Sequence, residues 1–233
     1  MRPKWKTIGV LGGMGPEASA EFYRRIIETC QQNYGAKYDS DFPPVFIYNV
    51  PLPEIVEKAA SKKYVVSMLK AGIGKLGSAG CDFIVVPCNT VGYFTREIKS
   101  DIPMLNPVME TYKEAKRRGI NKVGVLSTTS TAKNRLYESV FIDIEVLQPP
   151  VSEQNKINEI ILRILAGWKN PLDKEYLKLV SRKLQARGTE AVILGCTDLP
   201  LLISQKDVEL EILDTLQILV ENTLKISRGD GCG

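Results

Sequence analysis

One pattern occurs twice in this chain, and it constrains the fold more than any other feature. Residues 80–90 read GCDFIVVPCNT and residues 188–198 read GTEAVILGCTD. Each opens with a glycine, carries an acidic residue two places on (Asp82, Glu190), and continues as an apolar run. Each ends in a cysteine followed by a small polar residue, Cys88-Asn89 and Cys196-Thr197. Lys75-Leu76 and Lys183-Leu184 precede the two glycines at the same spacing. The chain therefore uses one supersecondary unit twice.

An apolar, β-branched run after a glycine turn is the pattern of a strand buried on both faces, as in a parallel sheet. Ligands bind beyond the carboxyl ends of such strands, where a following helix offers free backbone N–H groups. Cys88 and Cys196 fall at those ends. With a pseudo-twofold axis relating the units, the two thiols could face one another across a single crevice, on opposite sides of one small molecule. A lone cysteine in such a place behaves as a small hydrophobe and is usually core packing. Two at matched positions, each followed by hydrogen-bonding residues, point to function instead.

Composition removes alternatives. The chain has 233 residues, 44% hydrophobic and 25% charged, with a formal net charge of +4. That describes a soluble globular protein of one large domain or two small lobes. Lys and Arg are scattered among Asp and Glu, so no nucleic-acid footprint is present. No run approaches the roughly 18 apolar residues of a membrane span, and the opening MRPKWKTIGVLGG lacks a signal-peptide core. A cytoplasmic location is expected, with Cys30, Cys81, Cys88, Cys196 and Cys232 as thiols in a reducing compartment. Histidine is absent. This excludes Ser-His-Asp and Cys-His hydrolytic machinery and His-ligated metal, and there is no CxxC pair for a cysteine metal site. Proton transfer must use Cys, Asp, Glu, Lys or Tyr.

In chain order, residues 7–11 read as a strand and GGMGP as a tight turn feeding a helix over 16–34, with Pro16 and Glu17 at its N-terminus. GGMGPEA does not match the dinucleotide spacing G-x-G-x-x-G and reads better as a turn where backbone approaches a small anionic ligand. Phe22, Ile26, Ile27 and Cys30 recur at helical spacing, so Cys30 belongs to the core. A strand over 44–50, broken by Pro51 and Pro53, leads to helices over 63–77 and 90–100 and a short strand over 104–108. GVLSTTST, from Gly124, then takes the place of GVLGGMGP, from Gly9. Its hydroxyl-rich turn, residues 127–131, could cradle a carboxylate or cap a helix running through Tyr137. A strand over 143–147 and helices over 157–166, 174–187 and 212–226 come next, and the RGDGCG tail is expected to fray, leaving Cys232 dangling. Strands alternating with helices argue for an α/β fold with parallel sheets.

Two opposed thiols without metal or histidine suit a reaction that takes a proton from one face of a carbon and returns one to the other. One cysteine must be thiolate and the other thiol in each direction. Free cysteine titrates near about 8.5 and is readily depressed by a helix N-terminus, so both states are within reach near neutral pH.

The segments GGMGPEA, PCNT, GVLSTTST followed by LYE, GCTDLPLL and ILDT, in that order, resemble the cofactor-independent aspartate/glutamate racemase family over nearly the whole chain. The resemblance implies two similar α/β lobes, each a four-stranded parallel sheet flanked by helices, pseudo-twofold related, with the active site in the cleft between them. Residues 1–106 plus 214–233 would form the first lobe and 107–213 the second. It also implies no pyridoxal phosphate or other cofactor, a small amino-acid substrate and a homodimer. By position, Cys88 and Cys196 would be the two catalytic bases. Asn89, Thr90 and Thr197 would bind the α-carboxylate and amino group, and Met14, Thr128, Thr129 and Thr131 would line the pocket.

Three departures from that family stand out. Val91 and Gly92 come after the first motif, where the family has a small residue and histidine. The arginine of aspartate-specific members is not evident in PLPEIVEK, where Glu54 falls nearby, and their lysine late in the helix after Gln154 is Ala166, with Lys156 or Arg163 able to substitute. Those cations hold the side-chain carboxylate of aspartate. The departures leave the chemistry intact and open the substrate: aspartate first, glutamate or another amino acid second. Two alternatives remain. One is a related two-cysteine isomerase or decarboxylase acting on another carboxylic acid, in which one thiol adds to the substrate. The other is a non-catalytic small-molecule-binding protein with the same fold.

Overall fold

The computed structural model describes residues 5–53 and 61–230. Glu54 and the rest of the segment IVEK, together with Cys232 in the tail, lie outside the described residues. Contacts divide the chain into two units, Met1–Pro107 with Leu216–Gly233, and Val108–Thr215.

The first unit runs β1 (Ile8–Gly12), α1 (Pro16–Tyr34), β2 (Val45–Asn49), α2 (Lys62–Ser78), β3 (Phe83–Val85), α3 (Gly92–Thr95) and β4 (Met104–Leu105). The second runs α4 (Pro107–Arg117), β5 (Lys122–Leu126), α5 (Thr129–Lys133), β6 (Glu145–Leu147), α6 (Val151–Leu165), α7 (Pro171–Ala186), β7 (Ala191–Leu194) and β8 (Glu211–Asp214), and α8 (Thr215–Arg228) returns the chain to the first unit. Each unit holds a four-stranded sheet, ordered β2-β1-β3-β4 and β6-β5-β7-β8. Every pairing is parallel. The α/β class with two four-stranded parallel sheets is therefore observed.

Both sheets read as apolar runs because both faces are covered. In the first unit Ile8, Val10, Phe83 and Val85 pack with Phe22, Ile26 and Cys30 of α1 and Leu216, Leu219, Val220 and Leu224 of α8. The alternate residues Leu11, Ile84 and Val86 pack with Val65, Leu69, Ile73 and Leu76 of α2. In the second unit Leu126, Val192 and Leu194 pack with Ile157, Ile160, Ile161 and Ile164 of α6 and Leu177, Val180 and Leu184 of α7. The closing helix is tied down by its last turn, where Lys6 N–H donates to Ser227 O and Ser227 Oγ donates to Lys6 O, each at 2.7 Å.

The repeat is structural as well as textual. Gly80 and Gly188 have φ of 81° and 85°, the left-handed conformation that suits glycine. The matched acids do matched work: Asp82 Oδ2 accepts the Thr7 N–H at 2.6 Å, and Glu190 Oε2 accepts the Asn121 N–H at 3.0 Å. Each anchors the chain just before a central strand.

Several expected elements differ: the strand expected over 104–108 ends at Leu105, because α4 begins at Pro107, and the helix expected over 157–166 already begins at Val151. The helix expected over 90–100 shrinks to α3, Gly92–Thr95. Gly92 and the β-branched Thr90, Val91, Thr95 and Ile98 are weak helix formers, and past Thr95 the chain continues in tighter turns (Ile98 N–H to Thr95 O, 3.0 Å). The helix expected through Tyr137 ends at Lys133, two residues before Arg135 takes a positive φ of 48°. The helix expected from residue 212 begins at Thr215, because Ile212 and Leu213 pair with Val192 and Ile193 as the edge strand β8. Among the described residues no helix is long and apolar enough to cross a membrane.

Candidate active site

In the first unit, two loops leave neighbouring strands at their carboxyl ends. β1 and β3 are paired in register, Val10 opposite Val85. β1 runs into the GGMG turn and β3 into Val86-Pro87-Cys88. Gly13 has a φ of 93°, and a Cβ there would lie 2.8 Å from the Val50 backbone N and O, so the turn presses against the end of β2. Ser19 staples it from the first turn of α1: its Oγ accepts the Gly13 N–H at 2.9 Å and donates to Gly15 O at 3.1 Å. The result is a fixed backbone concavity at a helix N-terminus, suited to an anionic group. Cys88, Asn89 and Thr90 are all buried, and Met14, half-buried, packs against the apolar cluster that contains Cys88. Val91, fully buried, belongs to that cluster too.

In the second unit the same construction recurs with other side chains. β5 and β7 pair with Leu126 opposite Leu194. β5 delivers the hydroxyl turn, and β7 delivers Gly195-Cys196-Thr197-Asp198. Thr128 caps α5, its Oγ1 accepting the Thr131 N–H at 3.1 Å and lying 3.1 Å from Thr131 Oγ1. Thr128 and Thr131 are buried and Thr129 is half-buried. Cys196, 8% exposed, joins the apolar cluster of β5, α6 and β7. Its Sγ donates to Asp198 Oδ2 at 3.5 Å, and Asp198 is itself buried. Tyr137, fully buried, has its phenol pushed well above the usual range, first by burial and then by the negative charge that the nearby Cys196 carries when it is a thiolate. It therefore remains neutral at any working pH.

Sequence reasoning missed the groups that hold this turn. Two side chains one helical turn apart on α6 reach into it: Gln154 Nε2 donates to Ser127 O at 2.8 Å, and Asn158 Oδ1 accepts the Thr129 N–H at 2.9 Å. Thr215 Oγ1 donates to Leu194 O at 2.9 Å, fixing the end of β7 just before Cys196. Gln154 and Asn158 share a helix face at i, i+4, a spacing visible in the sequence. Their partner loop was not visible.

The α6 cations do not stand free at this turn. Lys156 pairs with Glu159 at 3.0 Å on a well-exposed surface. Arg163 forms a bidentate ion pair with the buried Asp173. Cys30 and Cys81 are core groups: burial pushes the Cys30 thiol up to about 11, with Arg228 opposing the shift, and burial raises Cys81 as well.

A sequence model of the Asp/Glu/hydantoin racemase family matches residues 11–223. The chain is 29% identical over 222 residues to the broad specificity amino-acid racemase RacX of Bacillus subtilis (strain 168), an alignment covering 93% of this chain and 96% of the relative. An aspartate racemase homologue from Pyrococcus horikoshii OT3 superposes with a TM-score of 0.80 at 30% identity, over 95% of this chain and 99% of that one. Picrophilus torridus aspartate racemase superposes with a TM-score of 0.81 at 25% identity, over 96% and 94%.

Proposed function

Because the chain belongs to the Asp/Glu/hydantoin racemase family, we propose that it interconverts the two enantiomers of an amino acid by moving the Cα proton between Cys88 and Cys196. The observation that carries this reading is the matched placement of the two thiols. Each lies just beyond the carboxyl end of a central strand, β3 or β7, beside a turn delivered by the neighbouring strand.

In one direction the thiolate of one cysteine takes the Cα proton while the thiol of the other gives its proton to the opposite face. In the reverse direction the roles exchange. The two sulfurs supply both proton transfers, so pyridoxal phosphate is not needed. The residues around them must hold the α-carboxylate and ammonium, and lower the cost of negative charge at Cα. In this reading Asn89, Thr90 and Thr197, each within two residues of a catalytic sulfur in the chain, hold the substrate. Met14, Thr128, Thr129 and Thr131 line the pocket in this reading, and a homodimer is the proposed assembly.

The substrate is argued from the cations. Arg163 is committed to Asp173, and Lys156 has a carboxylate neighbour of its own. These pairings favour a site that accepts several side chains, with aspartate as the first to test, and the broad specificity of the Bacillus subtilis relative agrees with that.

The test is proton NMR of L-aspartate and a panel of other L-amino acids with the purified protein in D₂O, without added pyridoxal phosphate, beside Cys88→Ser and Cys196→Ser. Loss of the Cα proton signal and growth of the D-enantiomer on chiral chromatography are expected. Each serine variant should lose racemisation by at least about 10²-fold, the usual contribution of a positioned acid or base. Racemisation that survives either substitution would overturn the two-cysteine mechanism.

A further inference from the structure

The two halves of the repeat differ in charge at one position beside the sulfur. Two residues after Cys88 stands Thr90, and two residues after Cys196 stands Asp198. The carboxylate is in contact with the thiol: Cys196 Sγ donates to Asp198 Oδ2 at 3.5 Å, with the two residues 8% and 2% exposed. A buried carboxylate that accepts S–H stabilises the thiol. Facing a thiolate at the same distance, it would instead set two negative charges side by side where water screens them little.

We propose that Asp198 is a positioning residue that keeps the proton on Cys196, so that Cys196 enters the reaction as the acid and the resting enzyme accepts first the enantiomer whose Cα proton faces Cys88. The inference rests on the racemase reading and deepens it, since it makes two otherwise equivalent bases unequal. Two ionisable groups act on Cys196: Asp198 on its own loop and Tyr137 on the segment after α5. Tyr137 is a neutral phenol, so of these two the carboxylate is the one that brings charge to the sulfur. From β5 and α6, Leu126 and Ile157 of the same cluster bring only apolar surface. After one turnover Cys196 is a thiolate beside Asp198. Cys196 regains a proton from solvent and Cys88 gives up the one it took before the next molecule of the same enantiomer can react.

The test reads the sulfurs directly and needs no turnover. Rates of iodoacetamide alkylation at Cys88 and Cys196 are followed against pH by peptide mass spectrometry in the wild type, Asp198→Asn and Asp198→Glu. The thiolate is the reacting form, so each profile reports the proton on that sulfur. In the wild type the Cys196 midpoint should lie above the ordinary thiol value. Asp198→Asn should lower it by one pH unit or more, a gain of about tenfold or more in Cys196 alkylation at neutral pH. Asp198→Glu should keep the wild-type midpoint, and the Cys88 profile should stay put in all three proteins, which a general loosening of the fold would not allow. A Cys196 midpoint at or below the ordinary value in the wild type, or one that stays or rises in Asp198→Asn, overturns the proposal. A protein that shows the alkylation shift but racemises no amino acid refutes the racemase reading alone.

Discussion

Arg163 on α6 grips Asp173 in the first turn of α7 through two parallel hydrogen bonds, Nε to Oδ2 at 2.8 Å and Nη2 to Oδ1 at 2.7 Å. Asp173 is 6% exposed, so the guanidinium supplies hydrogen bonds that water does not. By sequence alone Arg163 is also a candidate to hold a substrate carboxylate, and the two roles predict different losses. As a structural clamp, Arg163→Ala should destabilise the protein by about 2 kcal/mol in urea unfolding, because it strands a buried carboxylate. The KM for aspartate should not move. A tenfold rise in KM at unchanged stability would return Arg163 to the substrate site.

Asn158 positions the hydroxyl turn from outside it, through the 2.9 Å bond from the Thr129 N–H. Asn158→Ala removes an acceptor from a half-buried backbone donor, a cost of about 1 kcal/mol. If the turn binds substrate, its misplacement should show as a KM raised several-fold in steady-state kinetics. Asn158→Asp keeps the acceptor and should restore most of the loss. A normal KM in Asn158→Ala would remove this turn from the site.

How much of the molecule is legible in the sequence depends on how locally each feature is encoded. The cysteine strands and α1 are readable because a glycine, an apolar run of the right period and a proline at the helix start all lie within one window. The helix α4 was not anticipated. Its buried positions Pro107, Val108, Glu110, Thr111 and Ala115 include a carboxylate and a hydroxyl and no large aliphatic side chain beyond Val108, so it lacks the stripe that reveals a helix. β8 was hidden for the opposite reason: EILDTLQILV is apolar on both sides of Asp214-Thr215, and no breaker separates strand from helix. Of the proposed site, the sulfurs and hydroxyls are the part that the repeat marks in the sequence. It is not legible in Ser19, Gln154, Asn158 and Thr215, whose hydrogen bonds to the turns and strand ends are chosen by the fold.

Acid sensitivity gives a further check on the second unit. Glu114 on α4 receives hydrogen bonds from Arg117 (2.6 and 2.7 Å) and from Arg118 at 2.7 Å, and Arg118 also reaches Glu211, the first residue of β8, which pairs with Ala191 of β7. These bonds, the Arg117 contact foremost, hold the Glu114 carboxyl down from an ordinary 4.5 to about 2, against the opposing effect of burial. A carboxyl depressed in the folded state contributes stability above its unfolded value. That contribution is lost as pH falls through the folded one. Arg117 is largely exposed, so solvent screening reduces the effect to about 1–2 kcal/mol at neutral pH. Glu114→Gln should be less stable than wild type by that amount at pH 7. The gap should narrow below about pH 4.5 and be more than half closed by about pH 3. Urea unfolding of both proteins across this range measures it. A gap of the same size at pH 3 and pH 7 would mean that the two arginines do not act on the Glu114 charge.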